Sequence, residues 1–174
     1  MNSVSYENET NARIELEHIQ LELWNGRTRH FRHFVDQYYC YKHGYVKGTG
    51  TPDWEKIVWK DGSVSREARR LNDRKLVVKE HVVPLLVISK MLTALSQKAT
   101  LDEIAKVLDE NVRFATITKE EDSLLRRSGL TSKMPKGFYI SDDELWGDLL
   151  ARYKSVGIVM VTPNCALKPT AGDY

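Results

Sequence analysis

The sequence has only two cysteines, Cys40 and Cys165, and they show no C-x-x-C spacing. This excludes a disulfide framework and a cysteine zinc site, and it fits a reduced, cytoplasmic setting. The longest apolar run, Val82 to Ile88, is too short to cross a bilayer, and Met1 to Tyr6 lacks the basic and apolar regions of an export signal. We therefore expect no membrane partner.

The motifs of common nucleotide and acyl-transfer sites are also missing. The glycines between Gly44 and Gly50 have neither the order of a dinucleotide-binding loop nor the following Lys-Ser/Thr of a P-loop, and no nucleophile elbow occurs. We therefore predict no cofactor.

Two histidines, His30 and His33, lie one helical turn apart, which is a spacing that can chelate a metal when a third ligand arrives from elsewhere. Arg29 and Arg32 flank them and would repel a dication. The pattern favours a solvated or anion-facing basic turn, and no metal is predicted.

The net charge of +2 conceals blocks of opposite sign. Residues 1–25 hold five Glu, whereas residues 26–47 hold five Lys or Arg. Residues 60–79 are basic again, and residues 101–122 are acidic. In a chain that is nearly neutral overall, such blocks favour pairing within the fold or across a symmetric interface, and a nucleic-acid-binding regulator stays an alternative.

Length and composition favour one hydrophobic core, since 41% of the 174 residues are apolar and no long linker divides them. Three capping boxes, Thr100 to Glu103, Thr118 to Glu121 and Ser141 to Glu144, each predict the start of a helix. Strands are predicted at 112–117 and 157–161, with a hairpin over 57–64 around Asp61-Gly62. The fold class is α+β, a helix-rich single domain over residues 1–163 with a small mixed or antiparallel sheet.

Two long helices complete the prediction. The first runs from Thr10, as N-cap, toward Tyr41, with Asn25-Gly26 as a candidate break. The second runs from Glu80 to Gln97 as the central core element, with Pro84 near its first turn because a proline deeper inside would remove a backbone hydrogen bond.

Apolar and aromatic residues occupy more than one side of the first predicted helix. Such a helix needs more than one partner. We predict a homodimer or higher oligomer in which residues Glu15 to Glu22 meet the Arg27 to Arg32 region of the second copy. The interface candidates are Trp24, Phe31, Phe34, Tyr38 and Tyr39. The alternative use of the aromatic cluster around Tyr38 to Tyr45 is to stack a flat ligand or bases.

Four arginines, Arg66, Arg69, Arg70 and Arg74, follow Ser65, a possible N-cap. Their helical spacing makes them candidates for binding an anion such as phosphate or carboxylate. The alternative is a plain solvated face, which charge runs on short helices more often form.

The string Glu80-His81-Val82-Val83-Pro84 is similar to the His-x-x-Pro neighbourhood of ββα-metal (HNH-type) nucleases. In that family a histidine at the end of a strand activates water, and a later Asn or His on a helix helps to hold a divalent metal. The resemblance implies a nuclease with His81 and Glu80 as catalytic residues. The chain has no histidine after His81, and Asn111 is the only asparagine between His81 and the tail. The competing interpretation places both residues at a helix start in a structural role.

The last residues, Asn164 to Tyr174, follow Pro163, contain Pro169 and show no apolar periodicity, so we predict a flexible tail over 164–174. The string Cys-Ala-Leu-Lys-Pro-Thr-Ala-Gly-Asp within it resembles the translated recombination site at the end of an integron gene cassette. The resemblance implies a bacterial protein of the mobile metagenome, a group that includes small-molecule and nucleic-acid binders and many oligomers. The sequence as a whole predicts a cytoplasmic, homo-oligomeric binding or interaction module.

Overall fold

Two helices form the N-terminal part of the fold. The computed structural model describes residues 3–59 and 62–161, and in it α1 spans Ser3–Trp24 and α2 spans Phe31–Lys42. The chain reverses between them at Gly26, whose φ of +66° is readily adopted only by glycine. The predicted break at Asn25-Gly26 is confirmed, whereas Thr10 lies inside α1 and is not its N-cap.

The break changes which residues of α1 are buried. Ala12, Leu16, Ile19 and Leu23 face α2 and the core, whereas Leu21 and Trp24 are 57% and 52% exposed. The turn at Gly26 separates α1 from α2, so the apolar residues of the two helices do not lie along the face of one continuous helix.

A mixed four-stranded sheet follows in the order β2-β3-β1-β4. The strands are β1 (Ser63–Ser65), β2 (Val77–His81), β3 (Phe114–Thr118) and β4 (Met160–Val161). β1 pairs parallel with β3, while the β2–β3 and β1–β4 pairs are antiparallel. The prediction of a helix-rich α+β fold with a small sheet is confirmed.

Five further helices occur in the described ranges: α3 (Arg66–Leu71), α4 (Leu85–Thr93), α5 (Leu101–Asn111), α6 (Lys119–Arg127) and α7 (Ala151–Ser155). Ser65 caps α3 as predicted, and reciprocal capping boxes open α5 at Thr100 and α6 at Thr118. None of the described helices is long and apolar enough to cross a membrane.

Three local predictions are wrong. Residues 141–150 form successive turns, in which Asp143 and Asp148 accept hydrogen bonds from Leu145 N and Leu150 N, so Ser141 opens no helix. The segment 57–59 forms no strand, and β1 pairs with β3 and β4 instead of closing a hairpin. The predicted helix from Glu80 to Gln97 is divided: residues up to His81 belong to β2, and the helix begins after Pro84.

The sheet separates two hydrophobic layers. The larger core joins α1, α2, α4 and α5 and extends to Phe114 on one side of the sheet. A second cluster of Val82, Ala115, Ile117, Leu125 and Tyr153 covers the other side. Strand β2 therefore projects alternate side chains into two different environments. The predicted tail at 164–174 lies outside the described residues.

Candidate functional site

The end of β2 carries the residues that sequence analysis singled out, Glu80 and His81. Adjacent residues of a strand point to opposite faces of the sheet. Here Glu80 Oε1 lies 2.7 Å from Arg152 Nη2 on one face, whereas His81 Nε2 lies 2.7 Å from Asp36 Oδ1 on the other. The structure therefore does not bring Glu80 and His81 together, and neither residue is at a helix start.

The His81–Asp36 pair joins β2 to α2. The imidazole and the carboxylate are 11% and 15% exposed, and the His81 ring centre lies 4.5 Å from that of Phe114. The second ring nitrogen of His81, Nδ1, has no hydrogen-bond partner within residues 3–59 and 62–161. The pair thus holds the ring in one orientation and leaves one nitrogen for a ligand or a proton.

Lys79 lies two residues before His81 and on the same face of β2. Its Nζ is 4.4 Å from the ring centre of Trp54 and 4.5 Å from that of Phe114, which is the geometry of cation–π contacts. Burial lowers the pKa of Lys79 below its usual value, and the charge of Asp36 partly opposes this effect. The ammonium is thus desolvated, and it lies close enough to Asp36 to interact electrostatically.

Cys40 lies on α2 one turn after Asp36 and is fully buried. Burial raises the pKa of its thiol to about 12, although the nearby charge of Lys79 acts in the opposite direction. A thiol with this pKa is protonated at neutral pH and is a poor nucleophile. Cys40 therefore belongs to the packed wall of this site and not to its chemistry.

Arg152, on α7, is fully buried on the opposite face. Its guanidinium donates to Glu80, to the carbonyls of Val82 (3.1 Å) and Leu130 (2.8 Å), and to the carbonyl of His81. The five donors of an arginine suit such a cluster of acceptors. Arg152 thereby anchors the end of β2 on one face of the sheet, and the His81–Asp36 pair anchors it on the other face.

The predicted arginine cluster is only partly available to an anion. Arg74 donates two hydrogen bonds to Glu55, and Arg70 pairs with Glu67. Arg66 and Arg69 have no acidic partner in the described part of the chain. Arg69 lines a small cavity of about 250 Å³ together with Trp59 and Asn72.

A groove of about 720 Å³ lies between α1 and the C-terminal end of α2. Ala12, Leu16 and Val46 supply aliphatic walls, and Tyr38 and Tyr41 supply aromatic ones. Asn8, Glu9, Arg13 and Lys42 add polar groups to the lining.

Two lining residues of this groove, Tyr38 and Lys42, share a hydrogen-bond network with Asp109 of α5. The Tyr38 hydroxyl donates to Asp109 Oδ1 over 2.9 Å, and Lys42 Nζ donates both to Asp109 Oδ2 and to the Tyr38 oxygen. Burial is the largest cause of a raised pKa for Tyr38, and it also raises that of Tyr41. Both phenols are therefore neutral hydrogen-bonding groups at physiological pH.

The predicted interface residues occupy three different environments. Phe31, Tyr38 and Tyr39 are buried within the protomer, where Tyr39 packs edge-on against Phe114 at 4.9 Å. Phe34 is partly buried, and Trp24 is exposed. The expectation that this aromatic patch needs a second copy to cover it is therefore wrong for Phe31, Tyr38 and Tyr39, because α1 and the sheet cover them.

The charges assigned to the interface are also used internally. Glu22 and Glu15 are buried, and they pair with Arg27 at 3.3 Å and with His18 at 3.3 Å. They are not available to meet a second copy.

Within the described ranges, no group of three or more His, Cys, Asp or Glu side chains is placed to hold a metal. His33 of the predicted basic turn bonds Gln37, its neighbour one turn later. The nuclease resemblance therefore remains a prediction that rests on five residues.

Comparisons with protein-family models, curated proteins and solved structures find no match to this chain. The inference of function therefore depends on the geometry alone. Sequence analysis missed Asp36, Lys79 and Arg152. In a strand, Lys79 and His81 share one face and Glu80 points to the other, and this pattern could have indicated that Lys79 accompanies His81. The assignment of Glu80 and His81 to a helix hid this pattern.

Proposed function

We propose that this protein is a cytoplasmic, self-associating binding module that takes a small organic ligand in the groove between α1 and α2. The groove itself is the observation that carries the proposal. Its volume of about 720 Å³ falls in the range of small-molecule sites, which are concave, mostly apolar and equipped with a few placed polar groups.

The lining favours a ligand with a flat ring and one polar or anionic end. Tyr38 and Tyr41 offer aromatic surface, and Lys42 and Arg13 lie in the same lining. Lys42 already pairs with Asp109, and Arg13 already pairs with Glu17. A ligand would therefore bind beside these ion pairs and would not break them. We therefore favour a weakly polar aromatic compound over a multiply charged one.

The test uses 8-anilinonaphthalene-1-sulfonate, a fluorescent aromatic anion. Tyr41→Ala removes part of the groove wall, and Tyr139→Ala removes a tyrosine that is 55% exposed elsewhere. Because an aromatic contact contributes about 0.5–1.5 kcal/mol, we expect Tyr41→Ala to weaken the dye roughly two- to tenfold and Tyr139→Ala to leave it unchanged. Equal affinity in the two variants would contradict the groove as the binding site.

Self-association is proposed on a different face of α1 from the one inferred from sequence. Ile14, Leu21 and Trp24 are 40%, 57% and 52% exposed, and their spacing puts them on one side of the helix. An exposed apolar stripe of this kind is typical of an interface, and two-fold dimers are the commonest closed assembly. We propose that two copies pair through this stripe.

Light scattering at micromolar concentration tests this pairing. Leu21→Asp places a charge in the stripe, and Leu86→Asp places one on α4 at a leucine of similar exposure, 51%. We expect a dimer for the wild type and for Leu86→Asp, and a monomer for Leu21→Asp. A monomeric wild type would refute the pairing and leave the groove proposal intact.

The cytoplasmic location is proposed from cysteine chemistry. Cys40 is a free, buried thiol, and such thiols persist in reducing compartments.

A further inference from the structure

The Lys79 ammonium is a partly buried cation without a hydrogen-bond acceptor in the described residues. It contacts the rings of Trp54 and Phe114, but no acceptor in residues 3–59 or 62–161 lies within hydrogen-bond distance of Nζ. Buried charges in proteins are normally paired, because removing a charge from water is costly. The rings offset part of that cost, and the three N–H donors remain available.

The carboxylates near Lys79 already have other partners. Asp36 bonds His81 at 2.7 Å, and Glu55 bonds Arg74 at 2.9 Å. Turning either carboxylate toward Lys79 would break its existing hydrogen bond. The acceptor that completes Lys79 is therefore not supplied by its acidic neighbours.

Two further polar side chains lie near Lys79. Arg32 lies on α2 one turn before Asp36, is exposed, and has no acidic partner in the described part of the chain. It is near enough for its charge to lower the pKa of Lys79. His81 is two residues along the strand from Lys79, about 7 Å between Cα atoms, and its Nδ1 has no partner in the described ranges.

We propose that Lys79, Arg32 and His81 form a second site, which binds an oxyanion of the phosphate class, either the free ion or the phosphate group of a larger ligand. Lys79 supplies a point charge, and Arg32 supplies a planar pair of donors that matches two phosphate oxygens. His81 donates Nε2–H to Asp36, so its Nδ1 accepts from the O–H of a protonated phosphate. The Trp54 ring flanks the site and offers a surface for an organic substituent on the phosphate.

The probe is inorganic phosphate, titrated into the full-length protein by isothermal calorimetry at constant ionic strength, with acetate as the carboxylate comparison. Lys79→Met keeps the apolar stem and removes the charge. Lys75→Met is the matched control, because Lys75 is exposed in the turn that leads into β2. Arg32→Met changes an exposed residue and therefore leaves folding intact.

We expect phosphate to bind the wild type and Lys75→Met equally. Lys79→Met and Arg32→Met should each weaken phosphate roughly tenfold or more, as the loss of a charge-assisted hydrogen bond predicts. Lys79→Met removes two cation–π contacts together with the cost of a partly buried charge, and the methionine still packs on both rings, so we expect a melting temperature close to that of the wild type. A phenyl phosphate that binds more tightly than phosphate in the wild type, but not in Trp54→Ala, would identify the organic ester as the ligand source.

Three results would overturn the site: no phosphate binding by the wild type at millimolar concentration, equal affinity in Lys79→Met and Lys75→Met, or acetate binding as tightly as phosphate. These results do not test the α1–α2 groove, because Tyr41 of the groove is not part of the phosphate site. We expect Tyr41→Ala to leave the phosphate affinity unchanged.

Discussion

Glu80 and His81 are consecutive residues whose side chains anchor the end of β2 to opposite sides of the molecule. Glu80 bonds Arg152 behind the sheet, and His81 bonds Asp36 in front of it, each at 2.7 Å. A nuclease of the ββα-metal type would need them to act on one reacting centre. In this chain they hold a strand in place and separate two chemical environments.

The His81–Asp36 pair is expected to couple β2 to α2 energetically. Each of the single substitutions His81→Asn and Asp36→Asn removes one member of the pair and leaves the other residue without its original partner. Each should therefore lower the free energy of unfolding. A double-mutant cycle measured by urea denaturation should give a coupling energy of about 1–3 kcal/mol, because the residues are in direct contact and largely shielded from water. Additive effects would mean that the pair contributes nothing to stability.

Plasmid DNA is expected to stay supercoiled in the presence of the protein and Mg²⁺, Mn²⁺ or Zn²⁺. The reason is that no described cluster of three metal-binding side chains accompanies His81. Agarose gels give the readout. Cleavage that disappears in His81→Ala, with an unchanged melting temperature, would restore the nuclease interpretation.

Arg152→Met should be strongly destabilising. It removes the donor to Glu80 and to three carbonyls, and the loss of one partner of a buried ion pair costs about 3–5 kcal/mol. We expect the lower end of this range, because Glu80 is 21% exposed. The control Arg127→Met changes an exposed arginine of α6 and should fall within about 0.5 kcal/mol of the wild type.

Gly62 and Gly26 form a matched pair, since both have a φ of +66°. A Cβ at Gly62 would lie 2.0 Å from the backbone oxygen of Phe114, whereas one at Gly26 would meet nothing within 4 Å. Gly26→Ala should therefore cost only the conformational strain, about 1 kcal/mol. Gly62→Ala should cost several times more or prevent folding, as thermal unfolding would show. Similar melting temperatures would contradict the close approach to β3.

Cys40 should make the fold less stable in alkali. Its folded pKa of about 12 lies above the usual 9.0, so above pH 9 the unfolded state loses the proton while the folded state keeps it. The unfolded state is then favoured progressively up to about pH 12, by at most about 1.4 kcal/mol per pH unit. Urea titrations between pH 8.5 and 10.5 should show this decline in the wild type and a smaller one in Cys40→Ala. Parallel pH profiles would show that burial does not protect the thiol.

Local chemistry explains what the sequence could predict. The capping boxes at Thr100 and Thr118 and the Ser65 cap operate within four residues, so their side chains determine the helix starts regardless of the rest of the fold. The box at Ser141 has the same letters, but Asp143 and Asp148 bond nearby backbone N–H groups and favour turns.

Contacts between residues far apart in the chain explain which features of the fold the sequence could not predict. The strand identity of Lys79 to His81 depends on pairing with Phe114 to Thr116, which no local pattern indicates. The same holds for the contacts of Asp36 and Arg152, which join residues far apart in the sequence. The site around His81 is built from such contacts. The sequence therefore indicated His81 as a candidate residue but not the residues that surround it.

The parallel pairing of β1 with β3 has a consequence for how the chain folds. Ser63 and Val64 pair with Ala115 and Thr116, and α3, β2, α4 and α5 lie between these two strands in the sequence. Strand β4, which also pairs with β1, lies still further along the chain. Closing such loops is entropically costly and slow, whereas the α1–α2 hairpin forms from neighbouring residues. The helices should therefore gain structure first and the sheet last. A chain emerging from the ribosome cannot form the β1–β3 pair until Phe114–Thr118 has been made, and it cannot form the β1–β4 pair until Met160–Val161 has been made.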